Sequence, residues 1–252
     1  MIRHVLSLAA WFCGMTPTLA MVGNAPPAGE IGQSIVLLVG SRGSSCTGVA
    51  LARDLILTAG HCVMPGADYK LVEFDAARKP TLKDIGAIAL HPAFDAAAVA
   101  RHRVTADVAL IKLPAPIDVT PLPVATVANR VAVGDRFTIV GYGLTIPGDG
   151  RSGGTARSAM LVATGQPGTL QIRLIDPKTR GERPGLGACT GDSGGPALVE
   201  QNGRLAVAGV VSWTTGPALS EGCGGMTGVT PLARYRDWIV STAAKLGRPI
   251  LQ

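Results

Sequence analysis

The chain is dominated by short apolar runs, separated by stretches rich in glycine, proline and aspartate. Runs of four to eight residues bounded by turn residues indicate β-strands. Many such runs without helical periodicity between them indicate an all-β sandwich or barrel. Strands are predicted at residues 34–40, 48–51, 55–59, 85–90, 108–113, 136–140, 159–163, 170–175, 196–199 and 205–212.

One helix is predicted near the end of the chain, over residues 231–246. Thr230 can cap its start, and Pro231 suits a first helical turn, where a missing N–H leaves no bond unmade. The apolar residues that follow fall largely along one helical face: Leu232, Tyr235, Trp238, Ile239 and Leu246. Gly247 can end the helix, and the apolar face predicts packing against the β-structure.

Residues 1–20 have the pattern of a secretory signal peptide. Arg3 and His4 give a basic start, residues 5–15 form an apolar core, and Ala20 is a small residue suited to cleavage. The core is too short for a membrane span, which needs about 20 apolar residues. We therefore expect an exported protein, secreted or periplasmic, with no membrane segment after the signal peptide is removed.

Composition adds limits on partners and redox compartment. The 252 residues carry a formal net charge of +6, but the basic residues are scattered, as at Arg101 and Arg103, without aromatic residues between them. Nucleic-acid binding needs a concentrated basic face, so the charge indicates a solvated surface. Cys13 lies in the signal peptide. Four cysteines remain: Cys46, Cys62, Cys189 and Cys223. They can be joined into two disulfides in three different ways.

The segment 189–196, Cys-Thr-Gly-Asp-Ser-Gly-Gly-Pro, is the strongest chemical signal in the chain. Glycines on both sides of Ser193 permit a tight, non-helical turn. In such a turn the N–H groups of Gly191 and Ser193 can converge beside the hydroxyl, where a substrate carbonyl oxygen becomes negative. The pattern predicts a serine nucleophile with its own oxyanion hole. Taken alone, the segment is also compatible with a surface turn.

A serine hydroxyl is a weak nucleophile at neutral pH and needs a base, together with a group that orients the base. His61 lies in Thr-Ala-Gly-His-Cys, and Asp107 begins Asp-Val-Ala-Leu-Ile-Lys-Leu. Taken singly, His61 beside Cys62 is compatible with a structural or metal-ligating role, and Asp107 with a cap. The histidines at 4, 91 and 102 make no close His/Cys spacing with His61, so no metal site is expected.

The three motifs, in the order His61, Asp107 and Ser193, resemble those of the trypsin-like serine proteases of the chymotrypsin family. Further matches are His91-Pro92, Gly141-Tyr-Gly143 and Ser212-Trp213. The resemblance implies that His61 takes the proton from Ser193 and passes it to the leaving amine. It also implies that Asp107 holds the imidazole tautomer and stabilises the imidazolium.

The resemblance implies one peptidase domain over residues 21–252, with two six-stranded antiparallel β-barrels and the active site between them. The first barrel is expected over about 31–128 and the second over about 129–230. The family's pattern pairs Cys46 with Cys62, and Cys189 with Cys223. A set of four cysteines is sparse for the family's animal members, which indicates a bacterial or similarly simple form.

The resemblance also assigns the substrate pocket to Gly187, Ala188, Thr190, Ser212, Trp213, Thr214 and Gly228. Gly187 stands where trypsin itself has an aspartate, so no fixed negative charge is expected for a basic side chain. Thr214 is expected to narrow the entrance, with Gly228 as the opposite wall, although Glu221 could reach the pocket and restore a basic preference. We expect cleavage after small or medium uncharged residues, with weak discrimination between them.

Activation is expected to depend on Met21 and Asp192. Family members become active when a cut frees an amino terminus that inserts beside the aspartate preceding the nucleophile, here Asp192. Met21 follows directly after Ala20, so signal cleavage itself would create this terminus, and the buried charged pair would order the oxyanion hole. The alternative is a loose tail over residues 21–29, with Asp192 satisfied locally.

The sequence therefore predicts a secreted serine endopeptidase that acts on polypeptides through an acyl-enzyme. Its expected partners are polypeptide substrates and candidate protein inhibitors, and we expect a monomer without a cofactor, without nucleic acid and without a membrane partner. Two other functions stay open: a protease-like binding protein without catalysis, and an esterase that uses the same triad. The complete triad disfavours the first, and the missing Gly-X-Ser-X-Gly elbow disfavours the second.

Overall fold

Two antiparallel β-sheets meet at the segments that carry the predicted catalytic residues. The computed structural model describes residues 21–75, 77–101, 103–126, 131–165 and 170–250. The predicted signal peptide at residues 1–20 lies outside the described residues. Among the residues that are described, no helix is both long enough and apolar enough to cross a membrane.

The first sheet has seven strands: β1 (Ile35–Gly40), β2 (Ser45–Ala52), β3 (Leu55–Thr58), β4 (Tyr69–Phe74), β5 (Pro80–Asp84), β6 (Ile88–Leu90) and β7 (Ala109–Lys112). Their order is β5-β4-β1-β2-β3-β7-β6. The two edge strands, β5 and β6, are separated only by residues 85–87, so the sheet curls round until its edges meet at one short link. The expected chymotrypsin-like β-architecture is confirmed, with the difference that the first sheet is a half-barrel of seven strands where a barrel of six was expected.

The second sheet is a closed six-stranded barrel, as the resemblance implied. Its strands are β8 (Arg136–Gly141), β9 (Arg157–Ala163), β10 (Ile172–Ile175), β11 (Pro196–Gln201), β12 (Arg204–Thr214) and β13 (Met226–Pro231). They follow the order β10-β13-β12-β11-β8-β9 around the barrel. The register between β12 and β13 shifts between Val211 and Trp213. Such a bulge re-aims the side chains of a strand, and this one lies beside the predicted substrate pocket.

The C-terminal helix begins later than the sequence predicted. α1 (Ala96–Ala100) is a single short helix before β7, whereas α2, the C-terminal helix, spans Arg236–Lys245. Thr230 and Pro231 are the last residues of β13, where they pair with β12, and therefore neither cap nor begin the helix. The predicted end is confirmed, because Gly247 follows the helix with a φ of 74°.

Short 3-10 helices connect several of these elements: Gly29–Ser34, Gly60–Val63, Gly150–Ser152, Pro217–Leu219 and Leu232–Arg234. Three strands were not predicted: β4, β5 and β13. All five residues of β5 are exposed, so this strand has no apolar run that could reveal it. β13 contains glycine, two threonines and a terminal proline, which made it resemble a loop in the sequence.

The N-terminal end of the described chain packs against the second barrel, and the C-terminal helix packs against the first sheet. Met21 and Ala25 belong to the apolar core of the second barrel. Ile239 of α2 lies in a cluster with Leu57 and Leu110 of the first sheet, and this cluster also includes side chains of the second barrel. The shared apolar cluster holds the two sheets together and thereby fixes the geometry of the site between them.

Candidate active site

The turn that carries Ser193 lies where the two sheets meet. The backbone N–H of Thr47 in β2 donates to the Ser193 carbonyl at 2.8 Å, and the Thr47 hydroxyl donates to the Gly191 carbonyl at 2.8 Å. Gly194 has a φ of 79°, and a Cβ at this position would lie 2.1 Å from the Thr58 hydroxyl oxygen. The turn therefore needs glycine there, and the first sheet holds this part of the second barrel in place.

The two predicted oxyanion donors are backbone N–H groups in the turn around Ser193. Gly191 has a φ of 95°, a left-handed backbone conformation that favours glycine. Within the part of the chain that the structure describes, the N–H groups of Gly191 and Ser193 donate to no protein group. Ser193 itself is half-buried, and its hydroxyl can be reached from solvent.

His61 and Asp107 come from adjacent strands of the first sheet. His61 lies in the 3-10 helix Gly60–Val63 after β3, and Asp107 lies just before β7, the neighbour of β3. Nδ1 of His61 is 2.8 Å from Oδ2 of Asp107, and the His61 backbone N–H donates to Oδ1 at 2.9 Å. The Ser212 hydroxyl donates to Oδ2 at 2.5 Å. These hydrogen bonds fix the orientation of the Asp107 carboxylate and of the His61 ring.

The environment of Asp107 keeps this buried carboxyl ionised. Burial raises its pKa, but the hydrogen bonds and charge interaction with His61 and the bond from Ser212 outweigh burial, so the pKa lies below its ordinary value. An ionised carboxylate beside Nδ1 favours the tautomer in which Nδ1 carries the proton. Nε2 of His61 is then left as the acceptor that a general base requires.

The ring of His61 and the backbone of Ser193 approach each other at Cys62. Nε2 of His61 lies 3.8 Å from the Cys62 sulfur, and the Ser193 carbonyl oxygen lies 3.6 Å from the same sulfur. Among the described residues, the Ser193 hydroxyl and His61 are not hydrogen-bonded to each other. Catalytic bonds of this kind are often long in a free enzyme and tighten when substrate binds.

Both disulfides implied by the resemblance are present. Cys46 is bonded to Cys62 within the first sheet, and Cys189 is bonded to Cys223 beside the substrate pocket. The sulfur atoms of Cys46 and Cys62 lie close to the ring nitrogens of His61, in a cluster with metal-ligand spacing. Because both sulfurs are used in the disulfide, they are not thiolates and do not offer a metal the ligands that it needs.

Two threonines lie side by side at the predicted substrate pocket. Thr214 and Thr227 are opposite residues of β12 and β13, so their side chains share one face. The Thr214 hydroxyl donates to the Ala188 carbonyl at 2.8 Å, and the Ala188 N–H donates to the Thr227 hydroxyl at 3.1 Å. The assignment of Gly228 to the wall opposite Thr214 is wrong, because Gly228 pairs with Trp213 and is covered by its ring.

The residues predicted at the base of the pocket contribute glycine backbone. A Cβ on Gly187 would lie 3.1 Å from the Cα of Gly224, and Val22 forms a backbone bridge with Gly187 from the other direction. Glu221, the alternative source of negative charge, is exposed and forms no ion pair within the described ranges. Thr190 is exposed as well. The groups that line the base and walls are therefore uncharged.

Asp192 is fully buried directly before the nucleophile. Its carboxylate accepts hydrogen bonds from the N–H groups of Gly143 and Cys189, each at 2.8 Å. Burial raises the pKa of Asp192 to about 7, although the two backbone bonds act in the opposite direction. Among the described residues no side-chain cation pairs with Asp192, so the carboxyl has local donors but no opposite charge.

The segment that begins at Met21 is packed against the second barrel. Met21 is fully buried, Val22 bridges to Gly187, and the Ala25 carbonyl accepts a hydrogen bond from Arg157 at 3.0 Å. The loose tail that the alternative supposed is therefore wrong, whereas its other half, local hydrogen bonds to Asp192, is present. The bridge at Val22 ties the start of this segment to the base of the substrate pocket.

The fold and this site together define a serine hydrolase built from two β-sheets. A model of the trypsin family matches residues 21–239. The vitellin-degrading protease of Bombyx mori is 30% identical over 251 residues, covering 88% of this chain and 90% of the relative. The chain belongs to the trypsin family and is a serine-type endopeptidase.

Two further relatives extend the comparison. Snake venom serine protease rhinocerase 4 of Bitis rhinoceros is 28% identical over 217 residues, covering 83% of this chain and 82% of the relative. The solved structure of human heparin binding protein has a TM-score of 0.68 at 21% identity, covering 92% and 100% of the two chains, and shares the fold. These relatives come from an insect, a snake and a human, so the expected bacterial form has no support among them and stays a prediction.

Proposed function

We propose that this protein is an exported endopeptidase that cuts peptide bonds through an acyl-enzyme on Ser193. The observation that carries the proposal is the bonded series Ser212, Asp107 and His61 beside the Ser193 turn, with 2.8 Å between His61 Nδ1 and Asp107 Oδ2. In such a series the ionised carboxylate orients the imidazole and balances the charge that the ring acquires when it takes a proton.

In the first half of the reaction, Oγ of Ser193 attacks the substrate carbonyl carbon while its proton moves to Nε2 of His61. The carbonyl oxygen becomes negative and accepts hydrogen bonds from the N–H groups of Gly191 and Ser193. The C–N bond then breaks, and His61 gives the proton to the leaving amine. Water attacks the remaining ester by the same route, which releases the carboxylic acid and restores the Ser193 hydroxyl.

The substrate is proposed to lie along the edge of β12 at residues 212–214. β11 begins at Pro196, and the backbone bonds between Val211 and residues 194 and 195 are the last on that side of β12. Beyond Val211, this side of β12 has no partner strand within the described residues. An extended peptide can add there as an antiparallel strand, a common mode of peptide recognition, with its scissile carbonyl beside Ser193.

We expect a preference for small or medium uncharged side chains before the cut. Thr214 and Thr227 fill space on the two walls, and both are held in place by the backbone of Ala188. An uncharged base at Gly187 offers no ion pair to Lys or Arg. One methylene more or less on the substrate side chain changes transition-state binding in such a pocket by about 1–3 kcal/mol, so neighbouring aliphatic residues should differ in kcat/KM by roughly 10- to 200-fold and none should be excluded outright.

Signal cleavage after Ala20 is proposed to produce the active form directly. Met21 has a φ of 51° when a residue precedes it, and a non-glycine residue adopts this conformation at some cost. A free terminus removes that restraint and places an ammonium group on Met21, which lies in the same apolar cluster as Ala188, four residues before Asp192. The buried carboxylate then gains an opposite charge, which favours the ordered turn around the nucleophile. The two disulfides support export to an oxidising compartment.

The test is the intact mass of the exported protein before and after a fluorophosphonate probe, with Ser193→Ala as the control. We expect one adduct on the native protein, none on the variant, and a starting mass that corresponds to Met21. Peptides that differ only in Ala, Val or Arg before the cut then measure specificity. A folded protein that gains no adduct would indicate a binding protein, ester hydrolysis without peptide hydrolysis would indicate an esterase, and a strong Arg preference would refute the pocket assignment.

A further inference from the structure

Three strands of the second barrel place an arginine, a glycine and a tryptophan side by side. Arg173 of β10 pairs with Gly228 of β13, and Gly228 pairs with Trp213 of β12. Directly opposite residues in antiparallel strands project to the same face, so Arg173 and Trp213 lie on one face with no side chain between them. The Trp213 ring fills this gap, because a Cβ on Gly228 would lie 2.0 Å from its Cε2 atom.

Arg173 is an exposed cation without a partner in this part of the molecule. No ion pair or hydrogen bond from its guanidinium to another described residue is formed. Some cations of the described chain are held within the protein, such as Lys112 and Arg248 by Asp54, whereas Arg173 shares its free state with other exposed cations and differs from them in its place beside Trp213. The free guanidinium can therefore form an ion pair with a ligand without first breaking one within the protein.

Arg173 and Trp213 line one cleft of about 280 Å³. Thr214, Thr215 and Met226 are among its other walls, so the cleft begins at the edge where the substrate is proposed to bind. Adjacent strands lie about 4.8 Å apart, which puts the Cα atoms of Arg173 and Trp213 about 10 Å from each other. An arginine side chain spans most of that distance, and a carboxylate resting at the edge of the indole would be within its reach.

Successive side chains of an extended peptide point to opposite faces, and this determines which substrate side chain enters the cleft. The residue before the cut enters the pocket on the face of Thr214 and Thr227, so the second and fourth residues before the cut project to the opposite face, over Trp213. The second lies beside His61. The fourth lies farther along β12, past Thr214, where the cleft opens toward Arg173.

We propose that Arg173 and Trp213 form a subsite for an acidic side chain, Asp or Glu, at the fourth residue before the cut. This inference rests on the proposed peptidase function and extends it from the pocket at Ser193 to a second point of recognition. The indole supplies an apolar surface for the methylene groups of a glutamate, and the guanidinium pairs with its carboxylate. Because the pair lies near the surface, we expect a preference of about three- to five-fold rather than an absolute requirement.

The experiment uses the mature enzyme and a set of peptides with Ala before the cut and Glu, Gln or Lys at the fourth position. We expect kcat/KM to be about three- to five-fold higher for Glu than for Gln, mainly through KM, and the ratio to fall at high salt. Arg173→Gln should bring the ratio to about one, and Arg173→Glu should favour the Lys peptide. Arg204→Gln is the matched control, because Arg204 is exposed at the other end of β12 and should leave the ratio unchanged.

The proposed subsite and the proposed peptidase activity fail in different ways. An unchanged Glu-to-Gln ratio in Arg173→Gln, with normal hydrolysis of both peptides, overturns the subsite and leaves the peptidase intact. Loss of all hydrolysis and of probe labelling in the native protein overturns the peptidase activity instead. In that case, binding of the labelled Glu and Gln peptides to the protein and to Arg173→Gln still decides the subsite: equal affinities refute it, and a difference that the variant removes supports it.

Discussion

Gly194 is among the residues of the site that tolerate no side chain. It follows the nucleophile, has a φ of 79°, and lies so close to β2 and β3 that a Cβ would be 2.1 Å from Thr58 Oγ1 and 2.3 Å from the Thr47 carbonyl oxygen. Both neighbours belong to the first sheet, whereas Gly194 belongs to the second barrel. The absence of one side chain therefore allows the two sheets to approach closely enough for Ser193 and His61 to work together.

Gly194→Ala should greatly reduce both stability and activity. The control is Gly203→Ala, because Gly203 has a similar φ of 72° but no atom within 4 Å of the added Cβ. Left-handed strain alone should destabilise the control by about 1 kcal/mol, whereas the clash at Gly194 should add several kcal/mol and displace the nucleophile. Urea unfolding and the rate of fluorophosphonate labelling measure the two effects. Equal losses in the two variants would contradict the steric argument.

At the residue scale, short sequence motifs predicted the catalytic candidates, whereas the sequence did not predict which residues lie opposite each other in paired strands. His61, Asp107 and Ser193 each lie in a short segment whose residue types indicate its chemistry, and the structure brings those segments together. Thr227 was missed because its role depends on the register between β12 and β13, which are separated by the segment around Cys223. The spacing along one strand does not determine that register. The one available signal was that successive residues of a strand point to opposite faces, so Thr227 and Gly228 cannot both face the pocket.

At the scale of elements, α2 is held to the first sheet by a group of rings. His91, in the segment that leads to Asp107, lies with its ring centroid 4.9 Å from those of Tyr235 and Trp238, both in edge-on contact. The Ala93 N–H donates to Nδ1 of His91 at 3.1 Å. Burial among these rings favours the neutral imidazole and lowers the pKa of His91. The attachment of α2 is therefore sensitive to proton concentration.

The unfolding free energy should fall on acidification because of His91. Its folded-state pKa is lowered, so the unfolded chain binds the proton first, at the ordinary value near 6.5. The stabilisation is complete above that pH and declines as the pH falls toward the folded-state pKa. His91→Phe keeps a ring between Tyr235 and Trp238 but cannot titrate. Urea midpoints between pH 5 and 8 should depend less on pH in His91→Phe, and an equal dependence in both proteins would exclude this mechanism.

The sequence predicted elements well where burial alone determines the pattern. β8 and β11 were located nearly to their ends because their apolar residues face the barrel core. β5 escaped notice because pairing with β4, rather than burial, makes it a strand. The start of α2 was misplaced because Pro231, a good first helical residue in isolation, is already paired with Gly209 of β12. In each case a tertiary contact outweighed the local preference.

At the scale of the whole molecule, the proposed start of the mature chain packs into the same barrel that carries the Ser193 turn. Met21 packs in the core of the second barrel, Val22 is bridged to the base of the substrate pocket, and the buried carboxylate of Asp192 lies directly before Ser193. In a chain that still carries a preceding residue, the carboxyl group of Asp192 lacks an ammonium partner. Under the proposed activation, cleavage of the one bond after residue 20 would therefore affect a site formed by residues about 170 positions away along the sequence.

A protein that begins at Ala20 should be at least about 100-fold less active than one that begins at Met21, the size of effect that loss of an ordered oxyanion donor produces. The two forms should also differ in their dependence on pH. In the extended form the pKa of Asp192 is raised to about 7, so its contribution to stability is present below the ordinary value of 3.8 and is lost as the pH rises through 7.

The mature form should not lose this stability between pH 4 and 7, because the ammonium group of Met21 compensates the charge of Asp192. Peptide hydrolysis and urea midpoints across this pH range measure both effects. Asp192→Asn in the extended form is the control, because it keeps a similar shape and should remove the pH dependence. Full activity in the protein that begins at Ala20 would refute activation by signal cleavage.

The contact between Trp213 and Gly228 gives the cleft an optical reporter of its own. The chain has three tryptophans, and residue 11 lies in the predicted signal peptide, which leaves Trp213 at the cleft and Trp238 in α2. Trp238→Phe would therefore yield a mature protein whose indole fluorescence comes from the substrate groove alone. A peptide that covers Trp213 changes the polarity around the ring, so its arrival and departure become visible in real time without any attached dye.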